Sequence, residues 1–283
     1  AVKLESNCKD GLVASSIIKK QIKRSPKAPF RTASMITEAS RKLGFPPKLT
    51  MTLAGKLFRE GLISYHRTDS IEIDPSKLPD IHQKITAFYG EKYLEKRAFK
   101  NKKGAKNIQE AHGAITPVDI NITSDEIRSD TGDSDHDAQA KLYSMIWKRT
   151  IASQMKDALF DRTSIEFSPS KNPSLALFAF SDQELVFEGY LKATKEEVRN
   201  NPAPKINEGQ SVDFIKLIKE QHFTDPPPRY NDASMIKTLE EKGIGRPSTY
   251  AGILSRLVER EYIISKQKRY EPSDMGRLVS DFL

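Results

Sequence analysis

The sequence predicts an α+β protein in which helical regions flank a β-rich one. Three observations support this fold class. Apolar residues recur at helical spacing within residues 34–58 and 138–158, short apolar runs separated by turn-rich segments fill residues 163–219, and helical spacing returns after residue 231. At 283 residues, the chain is long enough for two or three domains with separate cores.

The first half of the chain predicts three helices after a basic start. Residues 1–27 are poorly periodic and are expected to hold at most a strand and a loop. One helix begins near Ser34 and stops at Gly44, and a second is capped by Thr50 and stops at Gly61. The third spans residues 138–158.

The second half predicts strands and then a further pair of helices. Strands are expected at residues 163–167, 175–180, 184–191 and 211–217. Three prolines at 226–228 make a stiff connector. A helix, a tight turn at Gly243 and Gly245, a helix after Pro247 and a basic wing at 262–269 then follow, an arrangement that nucleic-acid-binding proteins use.

Composition narrows the possible partners and compartments. The net charge is +8, and residues 1–60 hold thirteen Lys and Arg against four Asp and Glu, which favours a polyanion or simply solubilises the surface. The single cysteine, Cys8, allows neither an internal disulfide nor a cysteine zinc site. We find no membrane-spanning run and no signal peptide, so a cytoplasmic location is expected. The missing initiator methionine predicts an excised fragment.

The segment from Gly61 to Ser70 carries the strongest chemical signal. If residues 62–67 are extended, Tyr65 and Arg67 project to the same side about 7 Å apart. A phenol beside a guanidinium has the parts needed to attack a phosphodiester, since the oxygen is the nucleophile and the cation holds the phosphate. The alternative is an ordinary buried strand tyrosine followed by a polar turn. Asp69 pairs with Arg67 or caps the turn, and we favour the turn role.

An acidic run at Asp130, Asp133, Asp135 and Asp137 does not predict a metal site. Its spacing lacks the glycine and terminal glutamate of a calcium loop. Acidic residues ahead of a helix are ordinary surface features. We therefore predict no metal ligands in this chain.

Four segments resemble the type IA DNA topoisomerases, in the order expected for that family. They are Pro29-Phe30-Arg31-Thr32-Ala33-Ser34 with residues 38–45, the tyrosine segment, Gln109-Glu110-Ala111-His112-Gly113-Ala114-Ile115-Thr116-Pro117, and Pro226-Pro227-Pro228-Arg229-Tyr230 with Gly243-Ile244-Gly245-Arg246-Pro247-Ser248-Thr249-Tyr250-Ala251. Together they cover roughly residues 29–283. Gly113 and Thr116 stand where the bacterial pattern usually has glutamate and arginine.

The resemblance implies a fold and a division into domains. The family's body is a torus of four domains around a hole wide enough for duplex DNA. Residues 29–156 resemble the helical domain that carries the tyrosine, residues 1–28 and 157–225 the two parts of a β-rich hinge domain, and residues 226–283 part of a winged-helix-like domain that holds the single strand. The TOPRIM domain, whose acidic residues bind Mg²⁺, normally precedes these and is expected to be missing here.

The resemblance also implies an activity and its residues. Tyr65 would attack single-stranded DNA, Arg67 would clamp the phosphate and His112 would assist at the scissile phosphate. Arg246, Ser248, Thr249, Ser34 and Arg41 would contact the DNA. His66 has no assigned role. Without the TOPRIM domain, we expect a nucleoid-associated monomer that binds single-stranded DNA but cleaves it little or not at all.

Two other functions compete with this one. A winged-helix DNA-binding module without chemistry would explain residues 231–270 but not Tyr65, Arg67 and His112. A tyrosine recombinase or type IB enzyme would need several arginines ahead of a C-terminal tyrosine, whereas Tyr65 comes early in this chain.

Overall fold

The computed structural model describes residues 2–101, 112–127, 134–172, 174 and 178–283. Its helices, in chain order, are α1 Val2–Cys8, α2 Thr32–Leu43, α3 Pro47–Arg59, α4 Leu78–Tyr89, α5 Ser124–Ile127, α6 Ser134–Ser153, α7 Leu191–Thr194, α8 Asp232–Glu241, α9 Tyr250–Glu259 and α10 Asp274–Phe282. Its strands are β1 Leu12–Arg24, β2 Ala158–Pro169, β3 Phe178–Phe187, β4 Ser211–Val212, β5 Ile263–Lys266 and β6 Arg269–Pro272. Short 3₁₀ turns lie at Pro75–Lys77 and Glu91–Tyr93.

The chain divides into two compact units. One, here called the sheet unit, comprises residues 1–25 and 156–226. The other, here called the helical unit, comprises residues 26–155 and 227–283. Each unit is therefore assembled from two separate stretches of the sequence.

The sheet unit contains a four-stranded antiparallel sheet in the order β3-β2-β1-β4. β1 pairs with β2 from Leu12 opposite Pro169 to Arg24 opposite Ala158, with one irregularity between Ala14 and Ser16. Ala158, Phe160 and Leu191 form its buried cluster. The basic residues of β1 are exposed, so a strand can carry them without burying their charge, while Ala14 of the same strand is buried.

The predicted strands of this region are partly wrong. The pattern at 184–191 is the end of β3 followed by the short helix α7, because the chain turns at Gly189, where a φ of 52° suits glycine. Only two residues of the predicted strand at 211–217 pair with a neighbour. Residues 175–177 lie outside the described residues.

The main core of the helical unit joins α2, α3 and α6. α2 contributes Met35 and Ala39, and α3 contributes Leu53, Ala54 and Leu57. The remaining fully buried members come from the connecting segments and from α6: Phe30, Ile63, Ile115, Leu142, Tyr143 and Ile146. The helix predicted to be capped by Thr50 begins four residues earlier, with Pro46 as its cap, since Pro47 takes the first helical position, which needs no N–H donor.

A second core in the same unit joins α2 to α8 and α9. Ala33 and Ile36 of α2 pack with Ile236, Leu239, Tyr250 and Leu254. β5 and β6 then form a two-stranded antiparallel hairpin after α9. The mixed helical and sheet architecture is confirmed, while the winged-helix, hinge, torus and four-domain descriptions stay predictions.

Candidate active site

Tyr65 lies in an irregular segment that follows α3. Gly61 follows the helix with a φ of 70°, and residues 62–70 then continue without helix or strand. The condition of an extended strand over residues 62–67 is not met, because Ile63 alone in this range makes a β-bridge, to Pro117. Strand geometry therefore gives no reason to place the side chains of Tyr65 and Arg67 on the same side.

Thr32, at the start of α2, holds this segment from one side. Its hydroxyl donates to the carbonyl of His66 at 2.8 Å and accepts from the N–H of Thr68 at 2.9 Å. Its own N–H donates to the carbonyl of Thr68 at 2.9 Å. Thr32 is fully buried, so its hydrogen bonds satisfy backbone groups of His66 and Thr68 in place of water.

Ser64 connects the segment to the histidine motif on the other side. Its N–H donates to Thr116 O at 2.8 Å, and its hydroxyl donates to Ala114 O at 2.8 Å. The same hydroxyl accepts from the N–H of Thr116 at 3.0 Å. Three predicted motifs thus converge on one small region, although they are separated by tens of residues in the sequence.

The ring of Tyr65 sits in an aromatic cluster and is half-buried rather than sealed in the core. The centroid of His112 lies 4.6 Å from that of Tyr65. Phe58 meets Tyr65 edge-on at 5.3 Å, and His66 lies 5.6 Å from it. The structure therefore brings together two of the three residues predicted to be catalytic, Tyr65 and His112.

His66 is the buried member of this cluster. Its side chain is 7% exposed, and within the described part of the chain its Nδ1 atom has no hydrogen-bond partner. Burial, with the charges of Arg67 and Arg59 nearby, lowers its pKa to about 4. His66 is therefore a neutral ring at neutral pH.

Arg67 is exposed, and Asp69 faces guanidinium groups other than that of Arg67. Burial raises the pKa of the Asp69 carboxyl, and the charges of Arg31 and Arg246 oppose that rise. The expected turn role of Asp69 is taken instead by Thr68, whose hydroxyl accepts from the N–H of Ser70 at 3.0 Å.

Arg31, the residue before α2, forms an ion pair with α8. Its guanidinium contacts the Glu240 carboxylate at 2.6 Å. Sequence reasoning missed Arg31, Thr32 and His66 as parts of the site. A polar pair just before a helix was the available signal for Arg31 and Thr32, whereas nothing in the sequence signals that His66 is buried.

The loop from Gly243 to Thr249 carries three predicted DNA-binding residues, all exposed: Arg246, Ser248 and Thr249. Gly243 and Gly245 have φ values of 69° and 79°. The Thr249 hydroxyl accepts from the N–H of Arg246 at 2.8 Å and donates to its carbonyl at 3.1 Å. Thr249, rather than Ser248, is the residue that precedes helix α9.

Comparison with known proteins identifies the family. The family model described as DNA topoisomerase matches residues 1–283. The chain belongs to the DNA topoisomerase family. The predicted resemblance to the bacterial type IA enzymes is confirmed.

The chain is similar to a part of longer topoisomerases. DNA topoisomerase 1 of Rickettsia felis is 42% identical over 94% of this chain and 35% of that protein. The corresponding values for Xylella fastidiosa are 36%, 95% and 34%. The structure of full-length topoisomerase I from Thermotoga maritima matches with a TM-score of 0.83 and 33% identity, over 97% of this chain and 45% of that one. The chain thus spans about a third of these two curated relatives.

The two departures from the topoisomerase pattern in the histidine motif have local reasons. A Cβ atom on Gly113 would lie 3.1 Å from the carbonyl oxygen of Glu72, so a side chain there would crowd the backbone. Thr116 is buried, and its hydroxyl accepts from Lys77 Nζ at 3.2 Å. Residues 109–111 of this motif lie outside the described residues.

The other two predicted DNA-binding residues lie on α2. The Ser34 hydroxyl accepts from the N–H of Arg31 at 3.0 Å and so caps the helix. Arg41 lies at the far end of α2, about 10 Å along the axis from Ser34. There it pairs at 3.3 Å with Glu38, a buried carboxylate whose pKa lies at about 2 despite burial because Arg149, Lys42 and Lys27 surround it. DNA contacts of Ser34 and Arg41 stay predictions.

Among the described residues, no three His, Cys, Asp or Glu side chains group as a metal site would require. Asp130 and Asp133 of the acidic run lie outside those residues. Asp137 pairs with Lys141 at 2.5 Å. None of the helices in the described part combines the length and hydrophobicity needed to cross a bilayer.

Proposed function

We propose that this chain is the tyrosine-bearing part of a topoisomerase that cuts and reseals one strand of DNA by transesterification. The Tyr65 oxygen attacks a phosphorus atom, the bond to the 3′ oxygen breaks, and a 5′-phosphotyrosine and a 3′-hydroxyl result. One phosphodiester replaces another, so cleavage and resealing need no ATP. A second strand passes through the break before the hydroxyl reverses the attack.

The observation that carries the proposal is the position of Tyr65. Its ring is reachable from solvent, contacts His112, and is followed by the exposed Arg67. A free phenol has a pKa of about 10, so the attack is favoured by a group that takes its proton and by cations that stabilise the phosphate.

His112, rather than His66, fits the role of assisting at the phosphate. His112 is exposed beside Tyr65, where it can reach both the phenol and a bound strand. His66 is buried, and a pKa of about 4 makes it a weak base at neutral pH. We therefore propose that His112 takes the phenol proton and then donates it to the departing 3′ oxygen, and we assign no proton transfer to His66.

Cations flank the proposed reaction centre. Arg67 is the proposed phosphate clamp, because its planar fork can bind two phosphate oxygens at once. Arg246 and Thr249 are proposed to hold the backbone of the same strand through the exposed loop before α9. None of these contacts reads a base, which suits an enzyme that acts on many sequences.

Magnesium does not fit the described residues around Tyr65. Burial raises the pKa of the Asp69 carboxyl, and the charges of Arg31 and Arg246 act on it, whereas Mg²⁺ prefers charged oxygen ligands in octahedral geometry. We assign Mg²⁺ to the TOPRIM domain and route no step of this chain's chemistry through it. The proposed partners are thus single-stranded DNA and that domain, with the protein a monomer at the cytoplasmic nucleoid.

A covalent-trapping experiment tests the proposal. The chain is incubated with Mg²⁺ and a labelled single-stranded oligonucleotide, with or without the TOPRIM domain of a relative added in trans. We expect a covalent adduct only when that domain is present, and none with Tyr65→Phe, which should still bind DNA.

Two outcomes would contradict the proposal. Robust relaxation of supercoiled plasmid by the chain alone would show that the TOPRIM domain is not required. DNA binding without any adduct in the complemented mixture would favour a DNA-binding module without chemistry.

A further inference from the structure

Phe58 is an exposed aromatic side chain next to the nucleophile. It lies in the last turn of α3 and is 39% exposed. Its ring meets that of Tyr65 at 5.3 Å and 70°, and that of His66 at 5.6 Å. The ring of Phe58 is thus packed against the rings of Tyr65 and His66, while part of it stays open to solvent.

The core does not need this residue as a packing element. The apolar residues of α3 that build the core, Leu53, Ala54 and Leu57, are each at most 1% exposed, and Phe58 is not among them. A single exposed apolar residue is ordinary in a folded protein. Phe58 differs from such a residue in its location, because its ring packs against that of Tyr65.

Two guanidinium groups share this surface with Phe58. Arg59 and Arg67 are exposed, and both lie close enough to His66 to depress its pKa. An aromatic ring with cations near it is the combination that proteins use to bind single-stranded nucleic acid, since the base stacks on the ring and the cations hold the phosphates.

We propose that Phe58 is a stacking platform for a base beside the phosphate that Tyr65 attacks. This inference rests on the proposed function, because it takes the strand to lie across Tyr65. The platform would orient the nucleotide through its base while Arg59 and Arg67 hold the backbone. Any modest base preference near the cleavage site would then follow from stacking strength.

Binding measurements on the 283-residue chain itself test the platform. Fluorescence anisotropy is used to compare a short labelled oligothymidylate with an oligomer of the same length that has abasic sugars throughout. We expect Phe58→Ala to weaken binding of the oligothymidylate about tenfold and to leave binding of the abasic oligomer unchanged. Phe58→Trp should retain the preference for the strand that carries bases.

Phe88 provides a matched control. It is 62% exposed on α4, and Lys84 Nζ lies 4.4 Å from its ring centroid, so it is another exposed phenylalanine with a cation beside it. Phe88→Ala should bind both oligomers as the wild type does. Phe58→Leu keeps an apolar side chain of similar bulk without an aromatic face. It should therefore lose binding to the oligothymidylate and keep binding to the abasic oligomer, and it tests the platform even if Phe58→Ala fails to fold.

The outcomes separate this inference from the function on which it rests. Equal loss of binding to both oligomers in Phe58→Ala, or no loss to either, would overturn the platform even if the complemented chain still forms a Tyr65 adduct. A wild-type chain that binds neither oligomer would overturn both proposals.

Discussion

Residues 62–70 and residues 243–249 both lack regular secondary structure and both carry predicted site residues, but their backbones are held differently. Side chains and carbonyls distant in the sequence, from Thr32, Ala114 and Thr116, fix the tyrosine segment. The loop before α9 is fixed by bonds among its own residues and the adjoining end of α8. Damage to the first should therefore spread through the helical unit, whereas damage to the second should stay local.

The largest effect is expected from Thr32→Val. The change removes a buried hydroxyl that bonds both His66 and Thr68, and it leaves those backbone groups without partners. We expect a loss of about 2–3 kcal/mol in the free energy of unfolding. Adduct yield in the complemented assay should also fall, because Thr32 fixes the backbone on either side of Arg67, next to Tyr65. Urea titration measures the first effect, and a wild-type value would contradict the supporting role.

A pH titration of stability tests the buried ring in the same segment. His66 has a pKa of about 4 in the folded chain against 6.5 ordinarily, so the unfolded state binds the proton more readily between these values. The contribution of His66 is complete above pH 6.5 and is lost as the pH falls toward 4. Between pH 7 and pH 5, this costs about 2 kcal/mol.

Replacing the titratable ring supplies the comparison for this measurement. His66→Met should remove most of the loss between pH 7 and pH 5, because methionine fills similar space without binding a proton. An unchanged pH dependence in that variant would show that other groups cause the loss.

The sequence predicts the loop at residues 243–249 better than the tyrosine segment at residues 62–70. Gly243, Gly245 and Pro247 predict the turn in this loop, because the conformation of a tight turn depends on the residues within it. The conformation of the tyrosine segment could not be predicted, since its partners lie more than thirty residues away and produce no periodic pattern in the sequence. Motif resemblance brought Tyr65 and His112 together, but no pattern indicated the burial of His66.

In the loop at residues 243–249, Gly245→Ala should disturb the loop alone. Gly245 has a φ of 79°, and an added Cβ would lie 2.8 Å from Ile253 Cδ1. We expect a loss of about 1–2 kcal/mol in unfolding free energy and weaker DNA binding. Gly252→Ala, where nothing lies within 4 Å of the new atom, is the control and should cost nothing. Equal losses in the two variants would remove the special role of the Gly245 backbone.

The smallest effect is expected from Thr249→Val, the counterpart of Thr32→Val. The hydroxyl of Thr249 bonds only within the loop and is exposed, so water replaces much of what is lost. The cost should be about 1 kcal/mol or less, and Thr249→Ser should restore it. Thermal unfolding of both threonine variants side by side is the measurement, and a larger loss at 249 than at 32 would reverse the comparison.

The central claim is that Tyr65 becomes covalently linked to DNA. The most direct measurement is mass spectrometry of a tryptic digest of the adduct trapped with the added TOPRIM domain. We expect a nucleotide attached through its 5′ phosphate to the peptide that contains Tyr65. Attachment to a different residue, or through a 3′ phosphate, would contradict it.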